Sequence, residues 1–356
     1  MKSDVFLVRT EQAEAADAVV KKLQRLLDAS AIFARVKAGQ RVALKLHFGE
    51  EGNTGFVKPD YCAVIVDAVK QRRAIPFLSD TNTLYSGKRT NSKDHLALAY
   101  LHGFTPEKVG AEVIIPDDTR TENVFESSYK GAYVKTAMIA RIFQDAGFLV
   151  GVAHFKGHLM TGFGGAIKNI GMGCATRAGK LFQHAGIAPC VIKKKCGGCR
   201  ACIAVCPAAA ITLVRDTAVI DPSRCTGCAS CIAACTYGAI DVPWESGGNV
   251  IQEKMAEYAC AVLSGKKGRC AFINFCIKIT GECDCLAKDD PRIAPDIGIL
   301  VSVDPVALDQ ACCDLVCAAA GRDVFKEAHP KRDGTKQLRH AQDIGLGGRE
   351  YVLQTL

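Results

Sequence analysis

Aromatic residues are scarce in this 356-residue chain: they make up 7% of it, and there is one tryptophan. Single-stranded nucleic acid is held by stacking bases on aromatic rings, so a base-stacking surface is not expected. No run reaches the ~18 apolar residues that a membrane-spanning helix needs. The opening "MKSDVFLVRT" has no secretory core, because Asp4 and Arg9 bracket only four apolar residues. A reducing, anaerobic cytoplasm is the expected setting. Two phosphate fingerprints are also missing. "GCATRAGKL" has five residues between its glycines and Leu181 after the lysine, and "GMGCAT" lacks the third glycine of a dinucleotide turn. No nucleotide is indicated. The formal charge of +8 is mild for this length and does not argue for nucleic acid.

Cysteine is the abundant residue, at 19. A chain this long can bury a sizeable core without disulfides, so the thiols are expected to serve metals. Cys196, Cys199, Cys202 and Cys206 are spaced C-x2-C-x2-C-x3-C, and Cys225, Cys228, Cys231 and Cys235 repeat the spacing. Residues 196–211 match residues 225–240 at nine of sixteen positions, offset by 29. In such a repeat three thiolates converge on one iron–sulfur cube, and the fourth reaches the other cube. The spacing assigns Cys196, Cys199, Cys202 and Cys235 to one [4Fe–4S] cluster. Cys225, Cys228, Cys231 and Cys206 hold the second. Zinc knots use paired cysteines rather than triplets. Two oxidised clusters would carry roughly −2 each, leaving a net charge of about +4, which suits an acidic redox partner protein. The segment resembles bacterial two-cluster ferredoxins. It departs from them at Thr236, where the second motif usually has proline.

Around this segment, strands alternate with helices. Strands are expected at 4–10, 41–48, 75–81, 111–118, 147–155, 269–279 and 296–303. Helices are expected at 11–28, 58–73, 92–102, 134–145, 250–263 and 304–320, the last starting at Asp304 with Pro305 in its first turn. Such alternation implies right-handed crossovers and a mostly parallel sheet. The expected architecture is an α/β body with two lobes and a cleft, interrupted by a cluster domain. Its parts would be 1–189, 190–243 (the insert) and 244–356. The tail from 321 reads as polar and glycine-rich.

"HFKGHLMTGFGGAIKNIGMG", residues 154–173, breaks the α/β rhythm with six glycines. Its glycines, Gly162, Gly164 and Gly165 among them, would let backbone N–H groups approach an anionic or carbonyl ligand. Lys168 can neutralise charge or form a Schiff base, and His158 can move protons. The bland alternative is a closely packed strand–loop–helix corner with solvated side chains. Asp80, Asn82, Lys45 and His47 also follow strands, where open α/β sheets bind ligands. They are second candidates, with turn and cap roles as the alternative. Cys283 and Cys285 would share one side of an extended segment, and with Cys174 or Cys276 offer a third metal site. Buried inert thiols or a redox-active pair are the alternatives. Cys62, Cys260, Cys270, Cys312, Cys313 and Cys317 read as small core residues.

"KLHFGEEGNTGFVKP", "SDTNTLYSGKRTNSKDH", "EKMAEYACAVL", "CDC" and "DIGILVSVDPVALDQA" together resemble the Fe–S centre proteins. That family carries a domain of unknown function interrupted by a ferredoxin module. His158, Lys168 and His184, at intervals of 10 and 16, are similar to the nickel-pincer type of lactate racemase. This second resemblance implies two α/β domains with a site between them. It also implies a proton-transfer role for His158, cofactor attachment at Lys168 and metal ligation by His184. The chain departs from that pattern in its inserted cysteine repeat, and in Asn82 and Thr83, where an arginine is expected. The functional expectation is iron–sulfur electron transfer to a partner and to a ligand in the cleft, as an oxidoreductase component. The alternatives are a racemase- or isomerase-like enzyme with structural clusters, and an electron carrier whose body only docks partners.

Overall fold

The computed structural model describes residues 2–85, 87–184, 188–243 and 250–356. Its body is one eight-stranded sheet. The strands are β1 (Ser3–Arg9), β2 (Arg41–Lys45), β3 (Ile75–Ser79), β4 (Glu112–Ile114), β5 (Phe148–His154), β6 (Cys270–Cys276), β7 (Gly298–Ser302) and β8 (Tyr351–Thr355). Their spatial order is β8-β1-β7-β6-β5-β2-β3-β4. β7 runs antiparallel to both its neighbours, and every other pairing is parallel.

Both faces of the sheet are covered, as a mostly parallel sheet requires. Val42, Leu44, Val150, Val152 and Ile273 point to one face, with helices Ala16–Ser30 and Pro59–Lys70 packed over it. Ala43, Leu149, Phe272 and Leu300 point to the other, under Ile251–Leu263 and Pro305–Ala320. Alternate residues of each strand therefore serve different cores. Asp304 caps the helix Pro305–Ala320 as expected, accepting from Val306 N at 2.8 Å and Ala307 N at 3.1 Å.

Three expectations are corrected. The eight strands form one continuous sheet, so the cleft is a crevice at the carboxyl ends of its central strands rather than a gap between lobes. The helix expected at 134–145 is instead a hairpin of Val124–Ser128 with Thr136–Ala140, followed by a short helix, Arg141–Asp145. Buried Glu257 imposes that turn by accepting from the N–H groups of Ala132 (2.9 Å), Tyr133 (3.1 Å) and Val134 (2.7 Å). The tail is ordered as well: Val324–Ala328 and Lys336–Asp343 are helices, and β8 lies parallel on β1.

The cysteine repeat builds a small unit with its own apolar core, which includes Cys202, Ile211, Cys231, Ile232 and Ile240. Its two halves are conformational copies at the offset of 29. Gly198 and Gly227 have φ of +65° and +69°, and Arg200 and Ala229 have φ of +66° and +60°. Each pair precedes a short helix, Ala201–Ala204 or Ser230–Ala234.

Candidate functional site

β2 and β3 progress toward one edge of the sheet, while β5 and β6 progress toward the other. The direction of winding reverses between β2 and β5, and such a switch point leaves a crevice at the carboxyl ends of the strands. A cavity of about 470 Å³ lies there. Four of the parallel strands supply its wall from their carboxyl ends or the segments that follow: Lys45 at the end of β2 and His47 beyond it, Asp80 after β3, Lys156 and His158 after β5, and Cys283 and Cys285 on the segment after β6.

Five cations line it: Lys45, Arg89, Lys156, Lys168 and Lys180. Three are neutralised by buried carboxylates. Lys45 meets Asp80 at 2.9 Å, Arg89 meets Glu50 at 3.1 Å, and Lys156 meets Asp284 at 3.5 Å. The other two face different groups. Lys180 donates to Thr81 O at 3.2 Å, and burial pushes its pKa down to about 7. The half-buried Lys168 reaches no carboxylate within ion-pair distance among the described residues, and its Nζ lies 3.9 Å from Cys283 Sγ. The site therefore favours an anionic ligand.

Residues 154–173 are not an open loop. Lys156–His158 and Gly162–Gly164 pair as a hairpin, and Ala166–Gly171 is a helix. Most of the glycines answer to packing. A Cβ at Gly157 would stand 2.1 Å from Gly281 O, at Gly162 2.6 Å from Gly334 Cα, and at Gly171 2.1 Å from Met255 O. At Gly165 it would stand 2.3 Å from Asp309 Oδ1. Buried Asp309 accepts from Ala166 N (2.7 Å), Ile167 N (2.9 Å) and Asn274 Nδ2 (2.7 Å), and so anchors the helix that carries Lys168. The close-packing account thus holds for these glycines, while the polar side chains between them face the cavity.

Of the residues expected from sequence, His158, Lys168, His184, Lys45, His47, Asp80, Gly164 and Gly165 all line the one cavity. Gly162 does not; it packs on Gly334. Asn82 does not either: its amide donates to Ser92 Oγ at 2.9 Å. Burial lowers the pKa of His158, with Lys168 adding to the effect, and pushes that of His184 down to about 3. Burial likewise drives His47 well down. All three imidazoles are neutral bases or donors at physiological pH.

The Cys283–Cys285 segment is a turn rather than an extended strand, closed by Leu286 N–H to Cys283 O at 3.1 Å. Buried Asp284 pins it from behind, accepting from His154 Nδ1 at 2.9 Å. Neither Cys174 nor Cys276 joins the pair. A ring nitrogen of His158 and the two sulfurs lie within 4.8 Å of one another. Cys283 is the more acidic thiol, because Cys285 donates to it and Lys168 and Lys156 stabilise its charge. Sequence reasoning missed Lys156, Lys180 and Arg89. Arg89 comes within 3.9 Å of Asp80 and supplies a cation where Asn82 and Thr83 offer none.

The cysteine unit abuts this cavity. Leu84 lines the cavity and also belongs to the unit's apolar core, together with Leu181. Within the unit the eight cysteines divide between two pockets. Cys196, Cys199, Cys202 and Cys235 line one, and Cys206, Cys225, Cys228 and Cys231 line the other.

Residues 42–314 match the family model described as a domain of unknown function, DUF362. The chain belongs to the DUF362 family. No curated protein matches this DUF362 chain. Among solved structures it is similar to the lactate racemase apoprotein from Thermoanaerobacterium thermosaccharolyticum, at 11% identity and a TM-score of 0.40. That match covers 77% of this chain and 51% of the other. A protein from Thermotoga maritima is similar at 9% identity and a TM-score of 0.41, covering 85% of this chain and 59% of the other. The DUF362 chain thus spans between half and three-fifths of these proteins' lengths. No helix among the described residues is long and apolar enough to cross a membrane.

Proposed function

We propose that residues 190–243 form a ferredoxin-like insert holding two [4Fe–4S] clusters, and that it exchanges electrons with an anionic ligand in the crevice. The observation that carries this reading is the crossed division of eight cysteines between two pockets. Sulfur spacing supports cubes over zinc. Among the described residues, the trio of His158, Cys283 and Cys285 is the only one within 4.8 Å, so no three of the eight cysteines converge that closely. Tetrahedral zinc with Zn–S near 2.3 Å needs sulfurs about 3.8 Å apart. Backbone donors already face the sulfurs, as thiolate ligands require. Ala218 N reaches Cys196 at 3.4 Å and Gly227 N reaches Cys225 at 3.4 Å. Ala210 N reaches Cys206 at 3.3 Å and Ala239 N reaches Cys235 at 3.2 Å. The last two bonds are the same bond in the two halves of the repeat.

Bound clusters would supply one-electron carriers at low potential. The chain's own residues do the rest. Leu84 and Leu181 keep the path between insert and crevice dry, Lys168 holds negative charge, and the neutral imidazole of His158 can move protons. Exposed Lys193, Lys194 and Lys195, just before Cys196, suit an acidic redox partner protein.

Anaerobically prepared protein should contain about eight iron and eight sulfide per chain. Cys206→Ser should remove the cluster of Cys225, Cys228 and Cys231 and spare the other. Zinc in place of iron, or loss of both clusters together, sinks the crossed assignment. A second reading draws on the gathering of His158, Lys168 and His184 in one cavity: a racemase- or isomerase-like enzyme with structural clusters. An activity unchanged between oxidised and fully reduced clusters would favour it.

A further inference from the structure

The redox reading leaves unused the one pair of thiols that faces the crevice. We propose that Cys283 and Cys285 are a redox dithiol that reduces an anionic low-molecular-weight disulfide bound in the crevice, and is itself reduced through the cysteine insert. This inference rests on the electron-transfer reading above and names its substrate class.

The geometry suits a dithiol. Both sulfurs sit on one tight turn, held toward the cavity by the buried Asp284 anchor behind it. His158 stands beside them, its Nδ1 held by the N–H of Met160 at 3.1 Å and by Thr161 Oγ1 at 3.1 Å. A cation without a carboxylate partner among the described residues stands beside the sulfurs: Lys168 Nζ lies 3.9 Å from Cys283 Sγ. Positive charge favours a thiolate nucleophile and repels a metal dication.

The chemistry balances as thiol–disulfide exchange. The Cys283 thiolate attacks one sulfur of the bound disulfide, breaking its S–S bond and expelling one thiolate. Cys285 loses its proton and attacks Cys283 Sγ, expelling the second thiolate and closing a Cys283–Cys285 disulfide. Two electrons, one from each cluster, and two protons reopen that disulfide. Of the two expelled thiolates, one takes the proton released by Cys285 and the other takes a proton from solvent. Lys168 holds the substrate's negative charge.

The test uses the anaerobic holoprotein with oxidised glutathione as the probe. The clusters are first reduced with limiting dithionite, and their paramagnetic signal is followed as the probe is added. The remaining thiols are then alkylated and mapped by mass spectrometry. The expected result is loss of the cluster signal in step with formation of free glutathione, and a transient Cys283–Cys285 cross-link in oxidised protein. Cys283→Ser and Cys285→Ser should retain reducible clusters and lose the reaction. Equal alkylation of both cysteines before and after the probe, with clusters intact, overturns the inference and leaves the electron-transfer reading standing. A metal that blocks alkylation until it is chelated overturns it as well. Absence of clusters overturns the electron-transfer reading instead, and the cross-link then remains readable with a chemical reductant. Should either variant fail to fold, alkylation mapping of the wild-type protein still decides.

Discussion

Lys45→Met probes the wall of the crevice most directly. The Lys45 side chain is 1% exposed, and its ammonium meets Asp80 Oδ1 at 2.9 Å, Asn169 Oδ1 at 2.9 Å and Leu46 O at 3.0 Å. Methionine keeps most of the volume and removes the charge. Asp80 then keeps the N–H of Thr81 at 2.8 Å, but its remaining charged neighbours, Arg89 at 3.9 Å and His95 at 3.7 Å, lie beyond hydrogen-bond reach. Removing one partner of a buried ion pair costs about 3–5 kcal/mol, mostly as the penalty of the stranded charge. Asp80→Asn in the same background relieves that penalty. The double variant should therefore cost less than the sum of the singles, by about 0.5–3 kcal/mol. The sign with pH follows from Asp80, whose carboxyl is held below its ordinary value of 3.8 with Lys45 as the leading attractive charge. Its contribution is present above that value and is lost as pH falls through the lowered one. The gap between wild type and Lys45→Met should thus be full at neutral pH and narrow under acid. Urea denaturation of the four proteins at several pH values measures it. A Lys45→Met cost under about 1 kcal/mol at neutral pH, or strict additivity, would refute the strut role assigned to this pair.

Gly165→Ala places a methyl 2.3 Å from Asp309 Oδ1, so it should cost about 1–3 kcal/mol in denaturant unfolding and disturb the helix carrying Lys168. His95 and His184 are each pushed by burial down to about 3 from 6.5. Their neutral forms support the fold above pH 6.5, and that support should fade as pH falls toward 3. Melting temperature against pH should show this, and His95→Gln should flatten the slope. Leu84→Ala removes a buried side chain shared by insert and crevice. It should destabilise by about 2–5 kcal/mol while iron content stays unchanged. Loss of iron would place Leu84 in cluster retention instead.

The parallel strands were legible because each is a short apolar run bounded by turn residues. The segment at 134–145 was not. Its apolar residues fit both strand and helix spacing, and the choice is made by Glu257, more than a hundred residues away. The tail misled through composition: its glycines and charges hide Leu338 and Ala341, both fully buried against the core. Arg89 and Lys180 carried no local signal of a site. Each is an ordinary basic residue in sequence, and only the folding of two separate segments aims both at Asp80 and Thr81.

By itself, the sequence determined the repeat: eight cysteines at spacings short enough to dictate local loop geometry. It also determined the alternation of strands and helices, which follows from side-chain period. Tertiary structure alone decided what the glycine-rich stretch is for. Most of its glycines are small because other backbone and side-chain atoms press against them, and those atoms come from residues 255, 281, 309 and 334. The same long-range packing gathers cations, imidazoles and two thiols from four strand ends into one crevice, a convergence that sequence spacing does not encode.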